Sequence, residues 1–148
     1  MSIPKVGVSV ILKRYDKKGN FEVLMGIRKG SHGAGTWAFP GGHLEYMEEF
    51  EDCAIREILE ETNVDLTGSK FSHIHTTNDL MPNENKHYIT IFLEVFIYDS
   101  QTQFMNIEPD KCEGWQWVNI VDLKTRYETE SHTLFIPVKN YCKTKRLY

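Results

Sequence analysis

The sequence predicts a single domain that combines α-helices with a mixed β-sheet, an α/β (α+β) fold. Helices are expected on both faces of the sheet. The chain has 148 residues, the size of one ordinary domain with a hydrophobic core. Its 41% hydrophobic and 26% charged residues are typical of a soluble globular protein. Strand-like and helix-like patterns intermix without a repeat, a low-complexity tract or a linker. We therefore expect residues 1–148 to form one domain.

The first third of the chain predicts strands joined by tight connections. Residues 5–15 form a β-branched run with partial alternation, which is typical of a strand. Turn residues at 16–20 and a second apolar run at 21–29 extend this strand into a hairpin. A flexible glycine-rich loop is expected at 30–35. Residues 37–42 are expected to form a short strand that ends in a tight turn.

A helix is predicted from about residue 47 to residue 62. Ile55, Ile58 and Leu59 form an apolar stripe at helical spacing, so this side of the helix is expected to be buried. Asn63 stands where the chain should leave the helix, and asparagine is the second choice after glycine for the left-handed conformation of such a cap.

The second half of the chain continues the mixture of strands and helices. The predicted elements are, in order, a strand at 71–80, a turn at 81–86, strands at 87–99 and 112–119, a short helical piece at 121–126 and a C-terminal helix at 134–145. Pro137 is expected to weaken the first turn of that last helix.

Three glutamates on the first predicted helix indicate a metal-binding site. Glu57, Glu60 and Glu61 are spaced i, i+3, i+4, which places their carboxylates on one face of a helix. Like charges at this spacing repel, so a purely structural helix gains nothing from them. A Mg²⁺ ion, which takes oxygen ligands, would reverse that cost. The adjacent turn at Gly41 and Gly42 has no side chains and allows a ligand to approach the backbone closely.

This stretch resembles the Nudix family. The Nudix box reads G-x5-E-x7-R-E-U-x-E-E-x-G-U, where U is a bulky aliphatic residue. The matching positions are Gly42, Glu48, Arg56, Glu57, Ile58, Glu60, Glu61 and Val64. Asn63 stands where the box has glycine, a mild departure because asparagine tolerates that backbone. The resemblance implies an α-β-α sandwich.

The resemblance also implies roles for individual residues. Family members hold Mg²⁺, with Mn²⁺ as the alternative, through residues that match Glu57, Glu60 and Glu61 and through the carbonyl of the residue that matches Gly42. Which glutamate acts as general base differs among members. Arg56 would orient Glu57 and counts with the catalytic residues, and Glu48 is a candidate for an outer-shell role. A further metal ligand often comes from a loop outside the box, for which Glu113 is the first candidate and Asp110 the second.

Such a site suits cleavage of a phosphoanhydride, which needs charge neutralised on phosphate oxygens and a water directed at phosphorus. We expect a Mg²⁺-dependent diphosphatase that converts a nucleoside triphosphate, including an oxidised purine nucleotide, to a monophosphate and pyrophosphate. Hydrolysis of a nucleotide-sugar, a dinucleotide or a prenyl diphosphate is the alternative. A non-catalytic nucleotide-binding Nudix module is a further alternative, against which the three intact glutamates argue.

Outside the box, the chain is similar to one eukaryotic branch of the family. It holds 8-oxo-dGTP and thiopurine-nucleotide diphosphatases and a plant relative that hydrolyses geranyl diphosphate. The segments that carry the similarity are GSHGAGTWAFPGGHLE, HYITIF and NIEPDKCEGWQWV. Two positions depart from the branch: Ile136 replaces a tryptophan near the base, and Met47 replaces a glycine before the helix.

The branch suggests a set of substrate contacts. They are Arg28, Phe39, His43, Thr90 and Phe135. Arg28 and His43 would lie near phosphate, Thr90 in the pocket, and Phe135 would partly replace the missing tryptophan as a stacking surface. Purely structural roles are the alternatives: a solvated Arg28, a core Phe39, an ordinary turn residue at His43 and an ordinary strand residue at Thr90.

Charge and cysteine content restrict partners and location. The net charge of −4 offers no basic field for a nucleic acid polymer. No run approaches the roughly 20 apolar residues of a membrane helix, and the N-terminus lacks the apolar core of a signal peptide. Cys53, Cys112 and Cys142 are odd in number and widely spaced, which indicates reduced thiols and a cytoplasmic protein. Branch members are often homodimers, which Trp115 and Trp117 on apolar strands permit.

Overall fold

A mixed seven-stranded sheet forms the centre of the computed structural model, which describes residues 2–145. Its strands are β1 (Lys5–Tyr15), β2 (Phe21–Arg28), β3 (Trp37–Ala38), β4 (Gly41–His43), β5 (Ser72–Met81), β6 (Lys86–Phe96) and β7 (Cys112–Asn119). The helices of this part of the chain are α1 (Phe50–Thr62), α2 (Ile120–Glu130) and α3 (Ile136–Thr144). Short 3-10 turns at Pro82–Glu84 and Ser131–Thr133 complete the secondary structure.

The first strand changes neighbours along its length. On one edge, β1 runs parallel to β6 over nearly its whole length. On the other edge, its beginning pairs with β4 and its end pairs with β2, both antiparallel. β4 and β2 therefore occupy successive parts of the same edge of β1. The glycines of β4 lie directly beside the first strand.

The side chains of β1 point alternately to two cores, one on each face of the sheet. Val8 and Val10 pack with Ile58 of α1 in the first core. Ile11 packs with Val138 of α3 in the second core. Helices thus cover both faces, which confirms the predicted α+β fold, an α-β-α sandwich with a mixed sheet.

The ends of α1 follow from two residues with left-handed backbone. Met47 has a φ of 65°, so it cannot belong to the helix, and α1 begins at Phe50 rather than near residue 47. Asn63 has a φ of 64° and ends the helix with its N–H bonded to the carbonyl of Leu59. The prediction of an asparagine cap is confirmed.

The buried stripe of α1 differs from the predicted one at one position. Ile58 is fully buried and Ile55 packs against the same core, as predicted. Leu59 is 44% exposed, so the prediction that it is buried is wrong. Cys53 and Ala54 occupy the buried face instead, one turn earlier, because the helix is rotated toward the small residues that allow it to approach the sheet.

Other element boundaries also differ from the predictions. The expected single strand at 37–42 is two strands, because Pro40 follows β3 and the chain then crosses from β2 to pair with β1. The short helical piece at 121–126 is longer, extending over Ile120–Glu130. Pro137 lies in the first turn of α3, where its missing N–H costs no hydrogen bond, so it does not weaken that turn.

The described residues also bear on cysteine chemistry and membranes. Cys53, Cys112 and Cys142 are free and buried. Between residues 2 and 145, no helix is both long and apolar enough to cross a membrane. The prediction of one domain for residues 1–148 includes residue 1 and residues 146–148, which lie outside the described part of the chain.

Candidate active site

A cleft of about 780 Å³ opens beside the glycines of β4 and the acidic face of α1. The predicted site residues that line it are Gly42, Glu57, Glu60, Glu61, Arg28, Phe39, His43, Thr90 and Phe135. Arg56 lies behind the acids and contacts them from the flank. Glu113 is exposed on β7 and does not belong to the lining.

The glycine bend holds the glutamate carboxyls against the backbone. A Cβ at Gly42 would lie 2.2 Å from the carboxyl carbon of Glu57, so any side chain there would displace this acid. A Cβ at Gly41 would lie 2.1 Å from the carbonyl oxygen of Val8. The N–H of Gly41 donates to Oε2 of Glu61 at 3.1 Å. The missing side chains therefore allow β4 and α1 to form one wall of the cleft, which we call the acidic side (Gly41, Gly42, Glu57, Glu60 and Glu61).

Arg56 positions the acidic side. Its Nε and Nη2 donate to the two oxygens of Glu48 at 2.9 and 3.0 Å, a bidentate arrangement. Its Nη1 donates to Oε1 of Glu57 at 2.7 Å, and Nη2 also donates to the carbonyl of His43 at 3.0 Å. The bonds from Arg56 to Glu48 lower the pKa of Glu48 to about 2. Arg56 thus joins Glu48, the end of β4 and Glu57 in one arrangement.

The two glutamates nearest the glycine bend are the most perturbed acids of the cleft. Burial raises the pKa of Glu61 well above its usual value, and the neighbouring charge of Glu57 raises it further. Burial also raises the pKa of Glu57, although the hydrogen bond from Arg56 opposes this shift. A positive charge that entered the cleft would favour the ionised form of both acids.

The donor chemistry of this wall fits a hard divalent cation. Carboxylate and carbonyl oxygens are the ligands that Mg²⁺ takes, and a cation would offset both the burial and the mutual repulsion of Glu57 and Glu61. Glu60 points outward, with a side chain that is 52% exposed against 15% for Glu57. Within residues 2–145, no three His, Cys, Asp or Glu side chains are close enough together to hold a metal ion. A metal site here therefore requires Glu60 or another acid to turn inward.

The loop before β7 supplies acids that sequence reasoning did not rank first. Glu108 and Asp110 line the cleft, and the charge of Glu108 raises the pKa of both Glu57 and Glu61. Glu108 was missed because a lone acid in a loop has no periodicity to mark it. Its position next to Pro109, in a segment that the branch shares, was the only available signal.

Aromatic and basic side chains form the opposite side of the cleft. The guanidinium of Arg28 lies over the ring of Phe135 at 4.1 Å and donates from Nε to the carbonyl of His32 at 3.1 Å. The His32 ring stacks on Tyr88 at 5.8 Å, and Tyr88 stacks in turn on His43 at 5.4 Å. We call Arg28, His32, Tyr88 and Phe135 the aromatic side. Its members His32 and Tyr88 were not predicted as site residues.

Phe39 and Thr90 occupy the floor between the two sides. Phe39 is 8% exposed and packs edge-on against Phe92 and Tyr141, so it belongs to the second core while also bordering the cleft. Thr90 is 5% exposed, lines the cleft and donates its hydroxyl proton to Asp79.

An α-β-α sandwich with helix acids set against a glycine bend in a cleft defines the class of this protein. The chain belongs to the Nudix family, because the NUDIX domain model matches residues 4–137. This match confirms the family predicted from the residues between Gly42 and Val64.

Curated relatives span several activities. The chain is 24% identical to Nudix hydrolase 10 of Arabidopsis thaliana over 141 residues, which cover 95% of the chain and 47% of the relative. It is 31% identical to the m7GpppN-mRNA hydrolase NUDT17 of Homo sapiens over 117 residues, 73% of the chain and 35% of the relative. Over 53 residues, it is 43% identical to the oxidized purine nucleoside triphosphate hydrolase of Mus musculus. This match covers 35% of the chain and 34% of that protein. The chain spans less than half the length of each of these relatives.

Solved structures share the fold. A NUDIX hydrolase from Alicyclobacillus acidocaldarius superimposes with a TM-score of 0.73 at 16% identity, covering 97% of this chain and 91% of its own. The Ap4A hydrolase of C. elegans gives a TM-score of 0.60 at 17% identity, covering 98% and 93%. At these identities, the likeness concerns the fold.

Proposed function

We propose that this protein is a Mg²⁺-dependent diphosphatase that hydrolyses a nucleoside triphosphate to a monophosphate and pyrophosphate. The observation that carries the proposal is the contact of Glu57 and Glu61 with the Gly41–Gly42 bend inside the cleft. Two half-buried acids at one point of the wall suit a site that receives a cation and a polyphosphate together.

The acidic side would hold the metal through Glu57, Glu60 and Glu61 and the carbonyl of Gly42. Glu108 is the better candidate than Glu113 for the ligand from outside the helix, because it lines the cleft and Glu113 does not. When bound, Mg²⁺ or Mn²⁺ supplies charge neutralisation on the phosphate oxygens.

The chain's own residues would orient the reaction and accept the proton of the attacking water. Glu57 and Glu61 both have a raised pKa and both line the cleft, so either can take that proton. Arg56 donates to one oxygen of Glu57 at 2.7 Å. Arg56 therefore acts as a positioning residue for the acids.

The aromatic side would receive the remainder of the substrate. Arg28 and His43 would contact phosphate, Phe135 would stack on a base, and Phe39 and Thr90 would form the floor. The match to the oxidized purine nucleoside triphosphate hydrolase of Mus musculus supports a purine nucleotide as substrate. A homodimer and a cytoplasmic location remain predictions from the branch and the cysteine content.

A second candidate substrate has a nucleoside at each end of its phosphate chain. It is supported by the 31% identity to an m7GpppN-mRNA hydrolase over 73% of this chain. The chemistry at the acidic side would be the same, and the difference would lie in what the aromatic side accepts.

The test is pyrophosphate release by wild-type protein and by Glu61→Gln, with and without Mg²⁺. We expect Glu61→Gln to lower turnover by about 10²–10⁴-fold while thermal unfolding stays cooperative. Glu51→Gln is the matched control, because Glu51 is an exposed acid of α1 outside the cleft. Unchanged turnover in Glu61→Gln would refute the proposal.

The substrate class is tested with a panel of dGTP, 8-oxo-dGTP, dCTP, NADH, ADP-ribose and geranyl diphosphate, extended by a capped dinucleotide. We expect a purine triphosphate to give the highest kcat/KM. Preference for the capped dinucleotide would favour the second candidate, and preference for NADH, ADP-ribose or geranyl diphosphate would contradict both.

A further inference from the structure

A fully buried carboxylate lies directly behind the floor of the cleft. Asp79 on β5 has no solvent exposure. Its Oδ2 accepts hydrogen bonds from the hydroxyls of Thr77, at 3.1 Å, and Thr90, and its Oδ1 accepts from Nδ2 of Asn140 at 2.9 Å. All three of these donors are neutral. Burial of a carboxylate is costly, so these bonds are needed to hold Asp79 in place.

Only one of the two threonines that donate to Asp79 lines the cleft. Thr90 lines the cleft, whereas Thr77 does not. A threonine hydroxyl has one proton and two lone pairs, and a carboxylate can only accept hydrogen bonds. The proton of Thr90 is therefore committed to Asp79. What Thr90 presents to the cleft is a hydrogen-bond acceptor with a set direction.

A glycine leaves this acceptor uncovered. Gly7 on β1 is the register partner of Thr90 on β6, and it also lines the cleft. A Cβ at Gly7 would lie 4.0 Å from Oγ1 of Thr90 and 3.8 Å from the carbonyl oxygen of Gly42, which is ordinary contact distance. A side chain would fit there without strain and would cover the hydroxyl. Because there is none, a ligand lying over Gly7 can approach the Thr90 oxygen.

We propose that Asp79 is a positioning residue that keeps Thr90 a hydrogen-bond acceptor, so that the cleft selects nucleotides whose base presents an amino group at this point. The inference rests on the proposed function, because it takes the substrate to be a nucleotide. A base amino group would donate to Thr90. A base with hydrogen in its place would leave the Thr90 oxygen without a partner, and an oxo group would bring two acceptors together.

The experiment uses pairs of nucleotides that differ by one amino group. The pairs are adenosine with purine riboside and guanosine with inosine, each as the 5′-triphosphate for turnover and as the 5′-monophosphate for calorimetric binding. In at least one pair, we expect the amino-bearing nucleotide to be favoured by about 3–10-fold in kcat/KM, the range that one hydrogen bond supports. The difference should lie in KM and should appear equally in monophosphate affinity.

Four variants locate the origin of the preference. Thr90→Val removes the acceptor at nearly constant shape and should abolish the preference, whereas Thr90→Ser should retain it. Asp79→Asn replaces an acceptor by an amide that can donate to Thr90, so the Thr90 proton can turn to the cleft and the preference should be lost. Thr77→Val is the matched control, because it removes the other hydroxyl bonded to the same carboxylate oxygen and should retain the preference. The thermal midpoint of each variant reports whether it is folded.

The outcomes separate this inference from the proposed function. Equal use of both members of both pairs by the wild-type protein, or an unchanged preference in Thr90→Val, would overturn it. Loss of the preference in folded Thr77→Val would overturn it as well, because the buried group as a whole would then be responsible. If the monophosphates bind with the expected preference but no triphosphate is hydrolysed, the proposed function fails and the role of Asp79 and Thr90 stands.

Discussion

The acidic side and the aromatic side of the cleft are built in different ways. Every member of the acidic side lies between Gly41 and Glu61, on one short strand and the helix that follows it. The aromatic side is collected from β2, the loop after it, β6 and the residue before α3. The residues proposed to carry the chemistry thus lie in one continuous stretch, whereas the surface that would choose the substrate depends on distant parts of the chain.

The two sides are also held by different forces. Charge-assisted hydrogen bonds from Arg56 position the acidic side, and they are short and directional. Ring stacking and a cation–π contact between Arg28 and Phe135 hold the aromatic side. We expect changes on the acidic side to lower kcat and loss of the Phe135 ring on the aromatic side to raise KM, since the acids would lie at the reacting phosphate and the ring at the base.

The largest effect is expected from Gly42→Ala. The new Cβ would meet the carboxyl of Glu57 at 2.2–2.4 Å, so this acid must leave the bend. We expect kcat to fall by about 100-fold or more, as for other misplacements of about 1 Å at a reacting centre. Pyrophosphate release measures the effect. The double variant Gly42→Ala/Glu57→Ala removes the clash and should recover stability without activity; an active Gly42→Ala protein would contradict the role of the bend.

Arg56→Lys should have the next largest effect. A lysine cannot reproduce the two-pronged bond to Glu48 together with the bond to Glu57. We expect a loss of about 10–100-fold in kcat/KM and of about 1–3 kcal/mol in the free energy of unfolding. Steady-state kinetics and urea denaturation measure the two effects.

The matched control for Arg56→Lys is Arg126→Lys on α2. Arg126 forms an ion pair with Glu130 in which both side chains are more than one third exposed. We expect it to change the free energy of unfolding by less than about 1 kcal/mol. Equal effects of the two substitutions would show that Arg56 does not organise the acidic side.

Phe135→Ala tests the aromatic side. Loss of the ring removes the surface under Arg28 and the proposed stacking partner of the base. We expect KM to rise by about 2–10-fold with little change in kcat, the size of one aromatic contact. Phe50→Ala, which removes a 40% exposed ring of α1 outside the cleft, is the control. A fall in kcat without a change in KM would erase the distinction between the two sides.

The smallest effect is expected before α1, where Met47 has a φ of 65°. A residue with a Cβ is sterically strained in this conformation, and glycine is not. Met47→Gly should therefore stabilise the protein by about 0.5–1 kcal/mol. Asn63→Gly, at a φ of 64°, should gain less because asparagine tolerates this conformation better. Thermal unfolding of both variants measures the difference. Destabilisation by Met47→Gly would show that the Met47 side chain makes a favourable contact that outweighs the strain.

Local sequence predicted the acidic side well, since helical spacing, a helix cap and a glycine bend act over only a few residues. The Asn63 cap is therefore present as predicted, and Glu57, Glu60 and Glu61 all line the cleft, although Glu60 points outward. Leu59 was misjudged because the rotation of α1 on the sheet depends on Cys53 and Ala54, which is a matter of packing rather than of period.

The aromatic side and the loop acids depended on strand register. A bulge between His73 and His75 shifts β5, after which Thr77, Asp79 and Met81 point inward. A register shift also interrupts the pairing of β2 with β7 beside Glu113. Because one added residue exchanges the two faces of a strand, alternation in the sequence cannot assign these side chains.

The sequence by itself determined the family, the acid-bearing helix and the glycine bend, because these depend on interactions between residues close in the chain. Only the tertiary structure decided that His32, Tyr88 and Glu108 line the cleft and that Asp79 lies behind Thr90. The physical reason is that contacts between distant strands and helices are set by register and packing, and neither is encoded in any short segment.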